Sequence, residues 1–178
     1  MENKNLETLE MKQAFLSSAI SDISSVIQLL DTKVSIIMGS LIALMGGMLA
    51  CYDPIGQAFA RVEPNSWRGV IIAIIGILFF VSLAIVFVFG ILTVRGRVSQ
   101  VAYKSKWFVL KPTKEYSLEQ YQKDVRAMTN EDIIEDMAAE LYKLNDINRR
   151  KMKTANMTII WFAIALGLGS IIAVLLFF

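Results

Sequence analysis

Asp31-Thr32-Lys33 and Arg149-Arg150-Lys151-Met152-Lys153 place side chains of defined charge at the edges of long apolar runs. Groups in that position have two uses. They pair across neighbouring helices as charge-assisted hydrogen bonds that set helix register, or they reach outward to lipid phosphates while their stems stay in apolar surroundings. If the helices that carry the two motifs are neighbours, Asp31 faces Arg150 or Lys151. Asp31, Lys33, Arg149, Arg150 and Lys151 then form a switch or interface. A second group, Arg95, Arg97, Lys104, Lys106 and Lys111, is interleaved with Tyr103, Trp107 and Phe108. Charge next to aromatic faces suits a phosphate joined to a stacked base, with Arg95, Arg97, Lys104, Lys106 and Trp107 as its contacts. Topology-setting charge and an interfacial aromatic patch explain the same residues equally well.

Other chemistry is poorly supplied. The chain has no histidine and one cysteine, Cys51, so it offers neither an imidazole base nor a disulfide. It has no glycine-rich phosphate loop and no HExxH-type metal motif. Glu131, Asp132, Glu135 and Asp136 bring carboxylates together at helical spacing, but acids in a first helical turn complement the helix dipole without any metal. No catalytic residue, metal, cofactor or nucleic-acid partner is therefore assigned. Ser35, Gly39, Ala43 and Gly47 recur every four residues, a stripe that lets another helix approach closely, either within the chain or between subunits. Ala165, Gly169 and Ala173 repeat the spacing. Ser40, Ser82 and Ser170 are the hydroxyls available to line any conducting path, which without ionisable groups would select ions poorly.

The elements that must position these residues follow from the apolar runs. With 55% hydrophobic and 19% charged residues, the 178-residue chain is more apolar than a soluble domain of its size. The excess lies in uncharged stretches at 34–52, 69–94 and 154–178, each longer than the roughly 18 residues that mark a membrane span. Three transmembrane helices are expected. A polar segment with Glu2, Glu7, Glu10, Asp22 and Asp31 precedes the first run, so a cleaved leader is not expected. The connection 95–153 holds 13 of the 18 basic residues. By the positive-inside rule it is cytoplasmic, with the amino terminus inside and the carboxyl terminus outside. Residues 53–68 form the short outer connection, flanked by Tyr52 and Trp67 at the interface.

Leu6, Leu9, Leu16, Ile20, Ile23, Ile27 and Leu30 share one helical stripe, broken only by Gln13, that continues into the first span. Residues 1–33 are thus predicted to extend that span as a cytoplasmic helix. Ser117-Leu118-Glu119-Gln120 and Thr129-Asn130-Glu131-Asp132 have capping-box spacing. They predict helices from about Leu118 to Met128 and from Asn130 onward, the latter with Ile133, Met137, Leu141 and Leu144 on one stripe and continuous with the third span. The expected fold is an all-α membrane protein whose cytoplasmic helical extensions form a bundle.

Asp31-Thr32-Lys33-Val34 resembles the motif that opens the first span in transmembrane effectors of the Pycsar antiphage system. Trp107-Phe108-Val109 followed by Tyr116-Ser117-Leu118-Glu119-Gln120-Tyr121 is similar to that family's aromatic stretch before a short helix. Ala139-Glu140-Leu141-Tyr142-Lys143-Leu144 and Arg149-Arg150-Lys151-Met152 resemble its long helix and basic cluster, with Met152 where an aromatic residue is usual. The resemblance implies an effector that is silent until a partner cyclase, activated by phage, makes cyclic UMP or cyclic CMP. It then impairs the bacterial inner membrane, which would put the carboxyl terminus in the periplasm; a homo-oligomer is expected. The alternatives are a scaffolding membrane protein that docks a partner through its cytoplasmic helices, or an effector answering a cyclic oligonucleotide. A self-contained nucleotide-binding β-roll needs on the order of 100 residues, more than the mainly helical connection provides. An intersubunit site is therefore expected.

Overall fold

The computed structural model describes residues 2–96, 99 and 117–177, with side chains for 7–96, 99 and 117–176. Among these residues there are helices and no strands: α1 (Glu2–Ala50), α2 (Tyr52–Ala60), α3 (Trp67–Val94), α4 (Leu118–Arg126) and α5 (Asn130–Phe177). α1, α3 and α5 contain the stretches long and apolar enough to cross a membrane. α1 has 49 residues and α5 has 48. At about 1.5 Å per residue each is more than twice the length needed for a hydrocarbon core of roughly 30 Å.

Local signals explain where the helices begin. Ser117 accepts a hydrogen bond from the Gln120 amide at 3.3 Å and opens α4. Thr129 Oγ1 accepts from the Asp132 amide at 3.2 Å, while Asp132 Oδ2 accepts from the Thr129 amide and hydroxyl at 2.8 and 2.7 Å. That reciprocal pair satisfies donors the helix cannot satisfy itself. α4 ends at Arg126, two residues short of the expected Met128. The connection at 53–68 carries α2, which apolar periodicity does not announce. Its Pro54 falls in the first turn, where a missing amide hydrogen costs nothing, and Asp53 favours the positive end of the helix dipole.

The chain divides into two compact units, to both of which α1 and α5 contribute. The polar unit comprises Met1–Gln28 and Arg97–Arg150. Its core side of α1 is the predicted stripe: Leu16 is buried and Leu9, Gln13, Ile20, Ile23 and Ile27 are partly buried. α5 contributes buried Met137 with partly buried Ile133, Leu141 and Leu144.

The apolar unit comprises Leu29–Gly96 and Lys151–Phe178. Leu41, Phe79, Leu83, Val86 and Ala165 form its core, with Ile37, Met38, Trp161 and Phe162 packed around them. Here α1 and α5 run in the same direction and α3 runs against both. Gly90 of α3 lies against the Met38 side chain, and the Phe79 ring comes within 3.2 Å of where a Cβ on Gly169 would stand. Ile36, Ile42, Ile77 and Phe80 point outward, each more than half exposed. In water such a surface would be strongly unfavourable, whereas lipid chains cover it without cost.

Candidate functional site

The boundary motifs meet inside the apolar unit. Leu30 to Val34 is uninterrupted helix in α1, and Lys151 to Ala155 is uninterrupted helix in α5. Lys151 Nζ donates to both carboxylate oxygens of Asp31, at 2.7 Å to Oδ1 and 2.6 Å to Oδ2. The Lys151 side chain is only 6% exposed and that of Asp31 is 34% exposed. One turn further on, Val34 and Ala155 are buried, and Thr93 of α3 and Thr158 of α5 are fully buried in the same unit. The threonine hydroxyls donate to carbonyls of their own helices, Phe89 at 2.8 Å and Thr154 at 3.0 Å, so they add bulk without unsatisfied donors. A lysine this enclosed needs its counter-charge, because an unpaired buried ammonium carries a desolvation cost of several kcal/mol.

Of the two possible partners for Asp31, Lys151 is the one engaged. Arg150 turns to its own helix: Nε donates to Asp146 Oδ1 at 3.2 Å, and Nη2 stands 3.0 Å from Oδ2 as an ion pair without hydrogen-bond geometry at that oxygen. Arg149 is 82% exposed and contacts Asp146 at 3.4 Å. Lys33 is exposed. Arg95 caps the end of α3 and is exposed, whereas Arg97, Lys104, Lys106 and Trp107 lie outside the described residues.

The small-residue stripes behave differently from one another. Ser35, Gly39, Ala43 and Gly47 are all exposed, and a Cβ on either glycine would meet nothing within 4 Å. Among the described residues the two glycines of this stripe have no other helix against them. In α5, by contrast, Ala165 is buried and Gly169 receives Phe79, while Ala173 is exposed. The expectation that Ser40, Ser82 and Ser170 share a path is not met within one chain. Ser82 is buried, Ser40 and Ser170 are exposed, and each hydroxyl donates to a carbonyl four residues back on its own helix. Asp132 is committed to its cap, and among the described residues no group of three or more acidic, histidine or cysteine side chains is arranged to hold a metal.

One contact between helices escaped the sequence reading. The Arg68 guanidinium, at the start of α3, donates from Nε to the Leu175 carbonyl at 2.9 Å and also from Nη2 to the same oxygen. It thereby satisfies a carbonyl in the last turn of α5 and places positive charge at the negative end of that helix. Its only sequence signal was a cation in the first turn of an otherwise uncharged span.

A family model described as a Pycsar effector protein domain matches residues 15–178, which takes in the ion pair and all three long apolar stretches. The chain belongs to the Pycsar effector family. It is thus a membrane effector of an antiphage system, and the family implies a cyclic pyrimidine signal from a partner cyclase. No curated protein and no solved structure matches the chain.

Proposed function

We propose that this Pycsar effector senses cyclic UMP or cyclic CMP through its polar unit and, once bound, permeabilises the bacterial inner membrane. The observation that carries the reading is the pair of unbroken helices α1 and α5, each contributing to both units, joined by Asp31 and Lys151 where the apolar unit begins. A change in the polar unit that alters how these helices pack is transmitted along rigid elements into the spans. The basic connection supplies the phosphate contacts, with Arg97, Lys104, Lys106 and Trp107 the first to substitute. The exposed Ser35, Gly39, Ala43 and Gly47 stripe is the surface on which subunits associate. The reading assigns no catalytic step.

Membrane potential in cells carrying the partner cyclase tests the output: addition of a cyclic pyrimidine should depolarise them, and a steady potential would overturn the leak. Equilibrium binding of purified protein to cyclic UMP, cyclic CMP and cyclic oligonucleotides identifies the signal. Tight binding of an oligonucleotide alone would replace the pyrimidine reading.

The amino terminus faces the cytoplasm on this proposal, supported by the concentration of basic residues in the connection 95–153. Cys51 is the sole cysteine and is exposed. A membrane-impermeant maleimide should label it in intact cells, whereas labelling only after lysis would invert the topology.

A further inference from the structure

Two contacts fix the relative heights of the three long helices in the apolar unit. Asp31 meets Lys151, and α1 and α5 run in the same direction. Lys33 and Lys153, each two residues further on, therefore stand at one level. Met38 meets Gly90, and α3 runs the opposite way. Five residues back from Met38 is Lys33, and five residues on from Gly90 is Arg95. At about 1.5 Å per residue both steps are roughly 7.5 Å. One cation from each long helix thus lies at a single level, beside the buried pair.

All three side chains are exposed, and none joins an ion pair among the described residues. The carboxylate near this level, Asp31, is already held by Lys151. Outward-facing apolar side chains stand within a turn of the cations, with Ile36 at 65%, Val94 at 47% and Met152 at 42% exposure. A partner that satisfies this surface carries a negative phosphodiester joined to hydrocarbon. A free phosphate answers only half of it.

We infer that Lys33, Arg95 and Lys153 form a collar that binds the headgroups of anionic phospholipids. Lysine and arginine stems lie along the apolar surface and deliver their charges to the phosphates, so the collar sets the depth of the apolar unit in the bilayer. The inference requires only that this unit lies in lipid and depends neither on the orientation of the chain nor on its nucleotide.

The test is native mass spectrometry of the full chain released from micelles holding equal amounts of phosphatidylglycerol and phosphatidylcholine. Wild type should retain phosphatidylglycerol in preference. Each neutralisation, Lys33→Gln, Arg95→Gln or Lys153→Gln, should lower that preference by up to about fivefold, and the triple variant should abolish it. The charge-conserving triple Lys33→Arg, Arg95→Lys, Lys153→Arg should retain it, as should Arg61→Gln, an exposed cation outside the collar. Equal retention of both lipids by wild type, or an equal loss in Arg61→Gln, would overturn the collar. Displacement of phosphatidylglycerol by cyclic UMP or cyclic CMP would reassign these cations to the nucleotide phosphate and also overturn it.

Discussion

The apolar unit is pinned by one cation at either end, and the chemistry differs. At the Arg68 end a guanidinium donates to a neutral main-chain carbonyl, that of Leu175. At the Lys151 end an ammonium is buried against a carboxylate, that of Asp31. The first contact completes a helix that would otherwise leave a carbonyl unsatisfied, and water or another donor can partly replace it. The second holds an enclosed ammonium that needs its counter-charge against a carboxylate that is partly exposed. Breaking a pair of the second kind costs more than losing one capping hydrogen bond. That suits the end of the unit where α1 and α5 continue into the polar unit.

Charge substitutions separate the two ends. The largest effect is expected for Asp31→Lys, which sets two cations together and should abolish both folding of the apolar unit in detergent and toxicity in cells. Adding Lys151→Asp should restore part of each. Adding Arg150→Glu instead should restore little, since Arg150 belongs to Asp146, and full rescue by that variant would move the pairing to Arg150. Asp31→Asn leaves Lys151 without a counter-charge and should destabilise by about 3 kcal/mol, at the low end for a broken buried pair because Asp31 is partly solvated.

Arg68→Met should cost less, about 1–2 kcal/mol in thermal unfolding, with Arg68→Lys recovering part of it. Its effect should add to that of Asp31→Asn, the two contacts sharing no residue. Non-additivity above about 0.5 kcal/mol would show that the ends are coupled. The smallest effect on the isolated chain is expected for Gly39→Ala, which meets empty space and gains up to about 1 kcal/mol of helix propensity. A loss of toxicity without a loss of stability in that variant would locate a subunit contact on the stripe.

Much of this fold is legible along the chain because its causes are local. Uncharged runs longer than a bilayer mark the spans, and side-chain acceptors three residues from their amides mark the starts of α4 and α5. The α1 stripe from Leu9 onward, including the polar Gln13, turns inward as its spacing requires, while the Leu6 side chain lies outside the described residues. α2 was not legible, since Pro54 and Gly56 are as common in turns as in the short helix they join here.

The site was legible only in part. Sequence alone determined that charges stand at both boundaries, that no span holds an ionisable group in its interior, and that small residues recur in α1 and α5. Only tertiary structure decided which of two adjacent cations reaches Asp31. Arg150 and Lys151 differ by about 100° around one helix, so the choice belongs to the packing of α1 against α5. The small-residue stripes were decided the same way: their spacing is identical, but only the α5 stripe has Phe79 opposite it. Periodicity records which residues share a face; what the face touches depends on a neighbour far away in the chain.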